Sequence, residues 1–107
     1  MDVVTAHIWL KKKDGMSVDE FRDHWLNTHA PIARDGYQHL RSYVVSLVTG
    51  APGGAEPLYD GVAELTWDDR EGFVADMRSE ASKRGNEDLA SFTEAFGMAY
   101  VETHTVK

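Results

Sequence analysis

The sequence predicts one α+β domain, residues 1–107, in which a four-stranded antiparallel sheet carries helices on one face. A length of 107 residues suits one domain. Segments rich in β-branched and aromatic residues alternate with segments of helical periodicity. The predicted strands and helices also follow one another in a simple alternating order, which favours a sheet packed against helices.

The first half of the chain predicts a strand, a helix and a second strand. Residues 3–10 are β-rich, and the turn at residues 13–15 follows. Ser17 and Glu20 have the spacing of a capping box, so a helix should begin at Ser17. We expect this helix to end near His29, because Pro31 lacks an amide hydrogen and disfavours helical geometry before it. A further helical turn, residues 31–37, and strand two, residues 40–48, should follow.

After a loop at residues 49–54, the second half predicts strand three, two helices and strand four. Strand three should span residues 58–67, and Asp68 or Asp69 should cap a helix that ends near Met77. A shorter helix should begin at Asn86 or Glu87 and carry Leu89, Phe92 and Phe96, before strand four at residues 98–106. The resulting order, βαββαβ, is the ferredoxin-like arrangement.

Alternation along the strands predicts which sheet face the helices cover. The apolar row should face the helices: Ala6, Ile8, Leu10, Tyr43, Val45, Leu47, Tyr59, Gly61, Ala63, Leu65, Trp67, Met98 and Tyr100. The opposite face should carry a mixed set: Thr5, His7, Trp9, Val62, Glu64, Val101 and Thr103. That mixture is too apolar for a solvated surface, so we expect a second copy of the chain to pack its sheet there, giving a homodimer.

Composition excludes several classes of function. The chain has no cysteine, hence no disulfide and no zinc–thiolate site. A net charge of −7 disfavours binding to nucleic acid. No stretch is long enough to span a bilayer, and the N-terminus lacks the features of a signal peptide, so we expect a cytoplasmic protein with no membrane partner.

The helix at residues 17–29 carries the strongest candidate for chemistry. Phe21, Trp25 and His29 are spaced four apart and therefore lie on one face of an α-helix, directed at the sheet. A histidine beside aromatic rings there can act as a neutral base near pH 7. The alternative is structural: His29 hydrogen-bonds backbone groups left open at the Pro31 break.

The apolar sheet face opposite this helix predicts a pocket. Gly61 and Ala63 are small and should leave room beneath Trp25. Tyr43 and Tyr100 are candidate catalytic partners of His29, and either could instead be core residues. Substrate should contact the apolar lining: Ile8, Phe21, Trp25, Ala63, Leu65, Trp67 and Phe92.

The sequence offers no convincing metal site. His24 and His29 are five residues apart, so on an α-helix they would project about 140° from each other. The pairs Glu20/His24 and Asp35/His39 have chelating spacing, but each is only a pair on an exposed surface. We therefore predict no metal and no other cofactor.

The segment Phe21, Trp25, His29, Ala30 and Pro31 resembles the Phe-x-x-x-Trp-x-x-x-His-x-Pro motif of EthD-like proteins of the dimeric α/β-barrel superfamily. The strand-three residues 59–65 and the closing Val101-Glu102 are also similar. The resemblance implies the ferredoxin-like fold and a dimer whose sheets pack into a barrel. It also implies an organic substrate held between helices and sheet, with His29 as a functional residue. Because some related barrels bind or degrade haem, a haem held by one histidine stays an alternative.

The sequence thus predicts a cofactor-independent enzyme acting on a small apolar, aromatic or polyketide-like organic substrate. His29 would be its general acid/base, in a cyclase, isomerase or dehydratase (lyase) reaction. One alternative is a cofactor-free monooxygenase with the same residues, in which a deprotonated phenolic substrate meets oxygen. Another is an accessory protein that binds a small molecule without catalysis.

Overall fold

The computed structural model describes residues 2–107. Its elements follow one another along the chain as β1 Val4–Lys12, α1 Val18–His24, a π-helical turn Trp25–His29, α2 Ala30–Gly36, β2 Leu40–Leu47, a 3-10 turn Pro52–Gly54, β3 Gly61–Trp67, α3 Arg70–Met77, α4 Glu80–Phe92 and β4 Thr93–Tyr100. The four strands form one sheet in the order β2-β3-β1-β4, and every neighbouring pair is antiparallel. The predicted α+β, ferredoxin-like fold is confirmed.

Strand register confirms the predicted division into two sheet faces for the residues within the strands; Tyr59, predicted on the helix side, lies outside β3 and lines a groove with open-face residues. Ile8 of β1 pairs with Ala63 on one side and with Met98 on the other, so these residues share a face. The helices cover this face, and its central strands are buried where Ala6, Leu10, Ala63, Leu65 and Trp67 lie. Trp9 pairs with Val62 on the opposite face, where it is 39% exposed. One face is therefore core and the other is open in the single chain.

Local capping signals set the start of three helices. The Ser17 hydroxyl accepts from the Glu20 amide while the Glu20 carboxylate accepts from the Ser17 amide, which confirms the predicted capping box. Asp69 accepts from the Gly72 amide at the start of α3, as predicted. The start of α4 was predicted wrongly: Ser79 caps it by accepting from the Ser82 amide, six or more residues earlier than expected.

The predicted break before Pro31 is wrong. The chain stays helical from residue 18 to residue 36, because a π-helical turn at Trp25–His29 leads directly into α2. The Ala30 amide donates to the Trp25 carbonyl, five residues back. A wider π turn ahead of the proline accommodates a residue that has no amide hydrogen, so the helix need not end.

Strands three and four also differ from prediction at their ends. Strand β3 begins at Gly61 rather than residue 58, because Asp60 makes turn contacts instead: its amide donates to the Leu10 carbonyl and its carboxylate accepts from the Lys12 amide. Strand β4 begins at Thr93, where pairing with Lys12 ends helix α4, and it ends at Tyr100 rather than residue 106. Phe96 therefore lies on a strand, not on the predicted helix.

Candidate functional site

The π-helical turn places two histidines on one side of the helix. In a π-helix the backbone bonds span five residues, so side chains five apart come close together. His24 and His29 have this separation, and both imidazoles hydrogen-bond the carboxylate of Asp88 on α4. The prediction that they project far apart is wrong, because it assumed an uninterrupted α-helix.

Asp88 receives both imidazoles on one oxygen. The distances to its Oδ2 are 2.9 Å from His24 Nε2 and 2.8 Å from His29 Nδ1. The rings of both histidines pack on the fully buried Phe92, with ring centroids 4.5 and 5.0 Å away. Two helices therefore meet through a His–Asp–His cluster that rests on one aromatic ring.

The surroundings of His29 keep its imidazole neutral. Only 13% of the His29 side chain is exposed. Burial lowers the pKa of His29 below its usual 6.5, because a charged ring loses solvation; the hydrogen bond and charge of Asp88 oppose this but do not overcome it. For Asp88, burial raises the pKa, but the hydrogen bonds from His24 and His29 outweigh it and leave the pKa lowered.

These two directions define the tautomer of His29. An ionised carboxylate can only accept a hydrogen bond, so the Nδ1 that faces Asp88 must carry the proton. In a neutral ring the lone pair then lies on Nε2. Nε2 has no hydrogen-bond partner within residues 2–107, and His29 lines a cavity. The arrangement leaves a basic nitrogen without a hydrogen-bond partner in this part of the chain, on a residue that lines a cavity.

The cavity lies between helices α2 and α4 and the sheet. Its volume is about 70 Å³. The walls are mainly apolar, with polar groups at His29, two tyrosines and one asparagine: Ile8, His29, Ile32, Ala33, Tyr37, Tyr43, Leu65, Gly85, Asn86 and Leu89. Pockets for drug-sized ligands have roughly 300–1,000 Å³, so this cavity suits a compact molecule or the reacting end of a longer one.

Tyr43 is held as a hydrogen-bond donor. Its hydroxyl oxygen accepts from Trp25 Nε1 at 3.2 Å, which occupies one lone pair and leaves the hydroxyl hydrogen free. Burial raises the pKa of Tyr43, and the bond from Trp25 opposes this only in part, so the phenol stays protonated near neutral pH. Burial likewise raises the pKa of Tyr37. The cavity thus combines one neutral base with phenol donors.

The predicted site residues separate into three groups. His29, Tyr43, Ile8 and Leu65 line the cavity together. A second group does not line it and belongs to the buried core: Phe21, Trp25, Ala63, Trp67 and Phe92. Within that group Trp25 touches the site through Tyr43 and Phe92 through His29, whereas Trp67 Nε1 donates to the buried Asp76 carboxylate.

Tyr100 lies apart from this cavity, contrary to the prediction that placed it beside His29. It shares the helix-side face, opposite Ala6, but it lies on the edge strand β4. The side chain is 68% exposed and packs edge-on against Phe73. With Arg70 it borders a separate groove of about 310 Å³ at the other end of the domain.

The space expected beneath Trp25 is also occupied. A Cβ added at Gly61 would lie directly against the Trp25 ring, so this glycine seats the indole rather than opening a pocket. The cavity instead lies farther along the helices, beside Gly85. The small residues of β3 therefore serve packing, and the room for a ligand comes from α4.

Sequence reasoning missed Asp88, His24, Asn86 and Gly85 as site residues. Asp88 precedes Phe92 by four residues, so a correctly placed α4 would have put both on one side of that helix. Only a prediction of the π-helical turn would have placed His24 beside the same carboxylate. Within residues 2–107, no group of three or more histidine, aspartate or glutamate side chains has a metal-binding arrangement. No helix among these residues has the length and apolar character needed to cross a bilayer.

Comparison with known proteins places the chain in a family. The EthD domain model matches residues 13–95, which include both helices of the His–Asp–His cluster. The chain belongs to the EthD family. No curated protein matches it in sequence.

Three solved structures illustrate the similarity. An EthD family protein from Bacillus halodurans is 26% identical, with a TM-score of 0.79 over 94% of this chain and 99% of that one. A hydroxynitrile lyase from Passiflora edulis is 11% identical, with a TM-score of 0.77 over 99% and 98%. SnoaB, a cofactor-independent oxygenase from Streptomyces nogalater, is 14% identical, with a TM-score of 0.69 over 99% and 97%. The last two share the fold.

Proposed function

We propose that this chain is a cofactor-independent enzyme that moves a proton on a small organic substrate, in a cyclisation, isomerisation or elimination. The observation that carries the proposal is His29, which lines the cavity while its Nδ1 is bound to Asp88 and its Nε2 has no hydrogen-bond partner within residues 2–107. The similar fold of a hydroxynitrile lyase supports this class of reaction.

The proposed reaction begins when His29 Nε2 takes a proton from a carbon or hydroxyl of the substrate. The imidazolium that forms is stabilised by the Asp88 carboxylate, which already accepts from Nδ1. The Tyr43 hydroxyl donates to the oxygen on which negative charge develops. His29 then returns the proton to another atom of the substrate or to the leaving group, so no external proton or electron is consumed.

The walls of the cavity determine which substrates fit. Ile8, Ile32 and Leu65 exclude water from the reacting atoms, which strengthens the hydrogen bonds of His29 and Tyr43. A volume of about 70 Å³ favours a compact hydroxy or carbonyl compound, or the end of a longer apolar one. Polyketide-like substrates would place only one ring or chain end there.

The experiment is a turnover screen with purified, chelator-treated protein. Hydroxynitriles, β-hydroxy ketones and small phenols are incubated with it, and products are measured by mass spectrometry. His29→Asn keeps an amide donor for Asp88 but removes the base, and we expect its turnover to fall by about 10²–10⁴-fold. His104→Asn is the matched control, because His104 bonds Glu102 at 2.7 Å and both side chains are exposed. Wild-type turnover in folded His29→Asn would remove His29 from the mechanism.

A cofactor-free monooxygenase is the second candidate, because the fold of SnoaB is similar. In that reaction the same His29 would deprotonate a phenolic substrate, and the anion would react with dissolved oxygen. Stoichiometric oxygen uptake during turnover favours this candidate, and turnover without uptake favours the first. Binding without any product would instead favour the accessory-protein alternative.

We also propose that two chains pack their open sheet faces together. Trp9 and Val44 are 39% and 53% exposed there, although both are large and apolar. The indole of Trp9 packs against Gly97, where an added Cβ would collide with it. Similar structures from Bacteroides fragilis and Thermobifida fusca are dimeric, which supports the same assembly here.

Sedimentation tests this assembly. Wild-type protein at micromolar concentration should sediment as a dimer. Trp9→Lys places a charge in the contact and should shift the protein towards monomer or aggregate. Leu58→Lys is the control, because Leu58 is 87% exposed and outside the sheet. A wild-type monomer would contradict the proposed dimer.

A further inference from the structure

Asp88 and His24 lie behind His29, away from the substrate cavity, and neither was predicted to act. The cavity is lined by His29 of the π-helical turn and by Asn86 and Leu89 of α4, but not by His24 or Asp88. They therefore touch the reaction only through His29. That position suits residues that orient a base.

We propose that Asp88 and His24 are positioning residues that fix the proton of His29 on Nδ1 and hold its ring towards the cavity. This inference rests on the proposed role of His29 as base. Asp88 supplies the acceptor, and His24 supplies a second donor that holds the carboxylate in place. The His24 Nε2 lies 3.1 Å from Oδ1 and 2.9 Å from Oδ2, so it spans both oxygens.

The geometry restricts how the carboxylate can turn. His24 and His29 bond Asp88 Oδ2 from the helix that packs against α4. On α4, the Ser91 hydroxyl lies 3.3 Å from Asp88 Oδ1. Phe92 supports both imidazole rings from below. Rotating the Asp88 side chain away from His29 would also break its hydrogen bonds to His24. Both histidines therefore stabilise the same rotamer of Asp88.

His24 also connects this cluster to solvent. Its side chain is 26% exposed, against 13% for His29 and 18% for Asp88. When His24 Nε2 donates to Asp88, the Nδ1 of a neutral His24 ring carries no proton and can accept a hydrogen bond. The positive charge that forms on His29 during the proposed reaction thus lies next to the Asp88 carboxylate, which also bonds the partly exposed His24.

The test begins with the resting protein, free of substrate, by nitrogen NMR of the histidine rings. Wild-type His29 should show a protonated Nδ1 and an unprotonated Nε2. Asp88→Asn offers an amide donor to Nδ1, so we expect the proton to move to Nε2. Unchanged His29 nitrogens in folded Asp88→Asn would overturn the positioning role, whatever the protein catalyses.

His24 variants give a second, independent measurement. Removing His24 frees the carboxylate for His29 alone and removes the electrostatic effect by which His24 lowers the pKa of His29, so His24→Leu should raise that pKa. His24→Gln keeps an amide donor for Asp88 and should restore most of the wild-type value. Asp88→Asn should shift the pKa of His29 the opposite way, downward. Equal His29 titrations in His24→Leu, His24→Gln and wild type would overturn the role of His24.

Activity separates this inference from the proposed function. With a substrate from the screen, Asp88→Asn should lower kcat by about 10²–10⁴-fold with little change in KM, as expected when a base holds the wrong tautomer. Glu102→Gln is the matched control, because it alters the exposed His104–Glu102 pair. If the NMR changes occur but no compound is turned over, the positioning role holds and the proposed function fails.

Discussion

Two histidine–carboxylate pairs in this molecule have the same hydrogen-bond distance but different surroundings. His29 and Asp88 are 2.8 Å apart between the helices and the sheet, with side chains 13% and 18% exposed. His7 and Glu64 are also 2.8 Å apart, on the open sheet face, with side chains 44% and 48% exposed. The bond length does not distinguish them, so the difference lies in what surrounds each pair.

The buried pair has two features that the exposed pair lacks: a second histidine hydrogen-bonds the same carboxylate, and an aromatic ring packs against both imidazoles. His29 lines the cavity between the helices and the sheet, whereas His7 and Glu64 line a groove on the open face. Exposed pairs are screened by water and contribute only about 0–1 kcal/mol. We therefore assign the proposed chemistry to the pair that protein shields from solvent, and the proposed contact between subunits to the face that carries the exposed pair.

Removing the support of the buried pair should have the largest effect on stability. Phe92 is fully buried and contacts Phe21, His24 and His29. Phe92→Ala should lower the free energy of unfolding by about 3–5 kcal/mol, because it leaves a cavity in the core. Chemical denaturation measures this, and Phe96→Ala is the control, because Phe96 is 49% exposed. Equal losses in the two variants would contradict the central place given to Phe92.

Gly85 separates the needs of packing from the needs of the cavity. Glycine inside a helix costs about 1 kcal/mol relative to alanine, yet a Cβ here would meet only Ile32 Cγ2, at 4.0 Å. Gly85→Ala should therefore raise the free energy of unfolding by roughly 0.5–1 kcal/mol while narrowing the cavity, so kcat/KM should fall for the bulkiest substrates first.

Gly36→Ala is the control for this prediction. A Cβ at Gly36 would collide with Ala81, so the same substitution there should destabilise the protein. Urea midpoints for both variants measure the difference. A destabilised Gly85→Ala would show that Gly85 is needed for packing rather than for space.

Acid should lower the free energy of unfolding, by less than the core substitution Phe92→Ala does. The pKa of His29 is lower in the folded protein than its ordinary value of 6.5. Below pH 6.5, His29 therefore binds a proton more readily in the unfolded chain than in the folded protein. The stability from neutral His29 is fully present above pH 6.5 and is lost as pH falls through the folded value. Unfolding curves should show this loss in wild type, and His29→Asn should lack this part of it. Identical pH dependence in both proteins would contradict the shift.

The sequence predicted the fold well because the relevant signals are local or strictly periodic. Alternation along the strands placed Ile8 and Leu65 on the covered face, and the capping box at Ser17 placed the first helix. The stripe of Phe21, Trp25 and His29 survives the change from α to π geometry, since all three still point into the domain. His29 and Tyr43 were therefore correctly brought to one cavity.

The rest of the site depends on features that periodicity does not show. The π turn turns His24 towards His29, and the early start of α4 at Ser79 moves Asp88 opposite both. Tyr100 has the right strand phase but lies on the edge strand β4, where its side chain is 68% exposed. Phase along a strand gives the face of a sheet, whereas the position across the sheet depends on strand order.

The pKa of His29 tests the central claim most directly, because a neutral, oriented base is what the cavity is proposed to supply. An NMR titration of the wild-type protein, with His29→Asn to assign the signal, measures it. We predict a value below 6.5, with the proton of the neutral ring on Nδ1. A value above 6.5, or a neutral ring protonated on Nε2, would contradict the account.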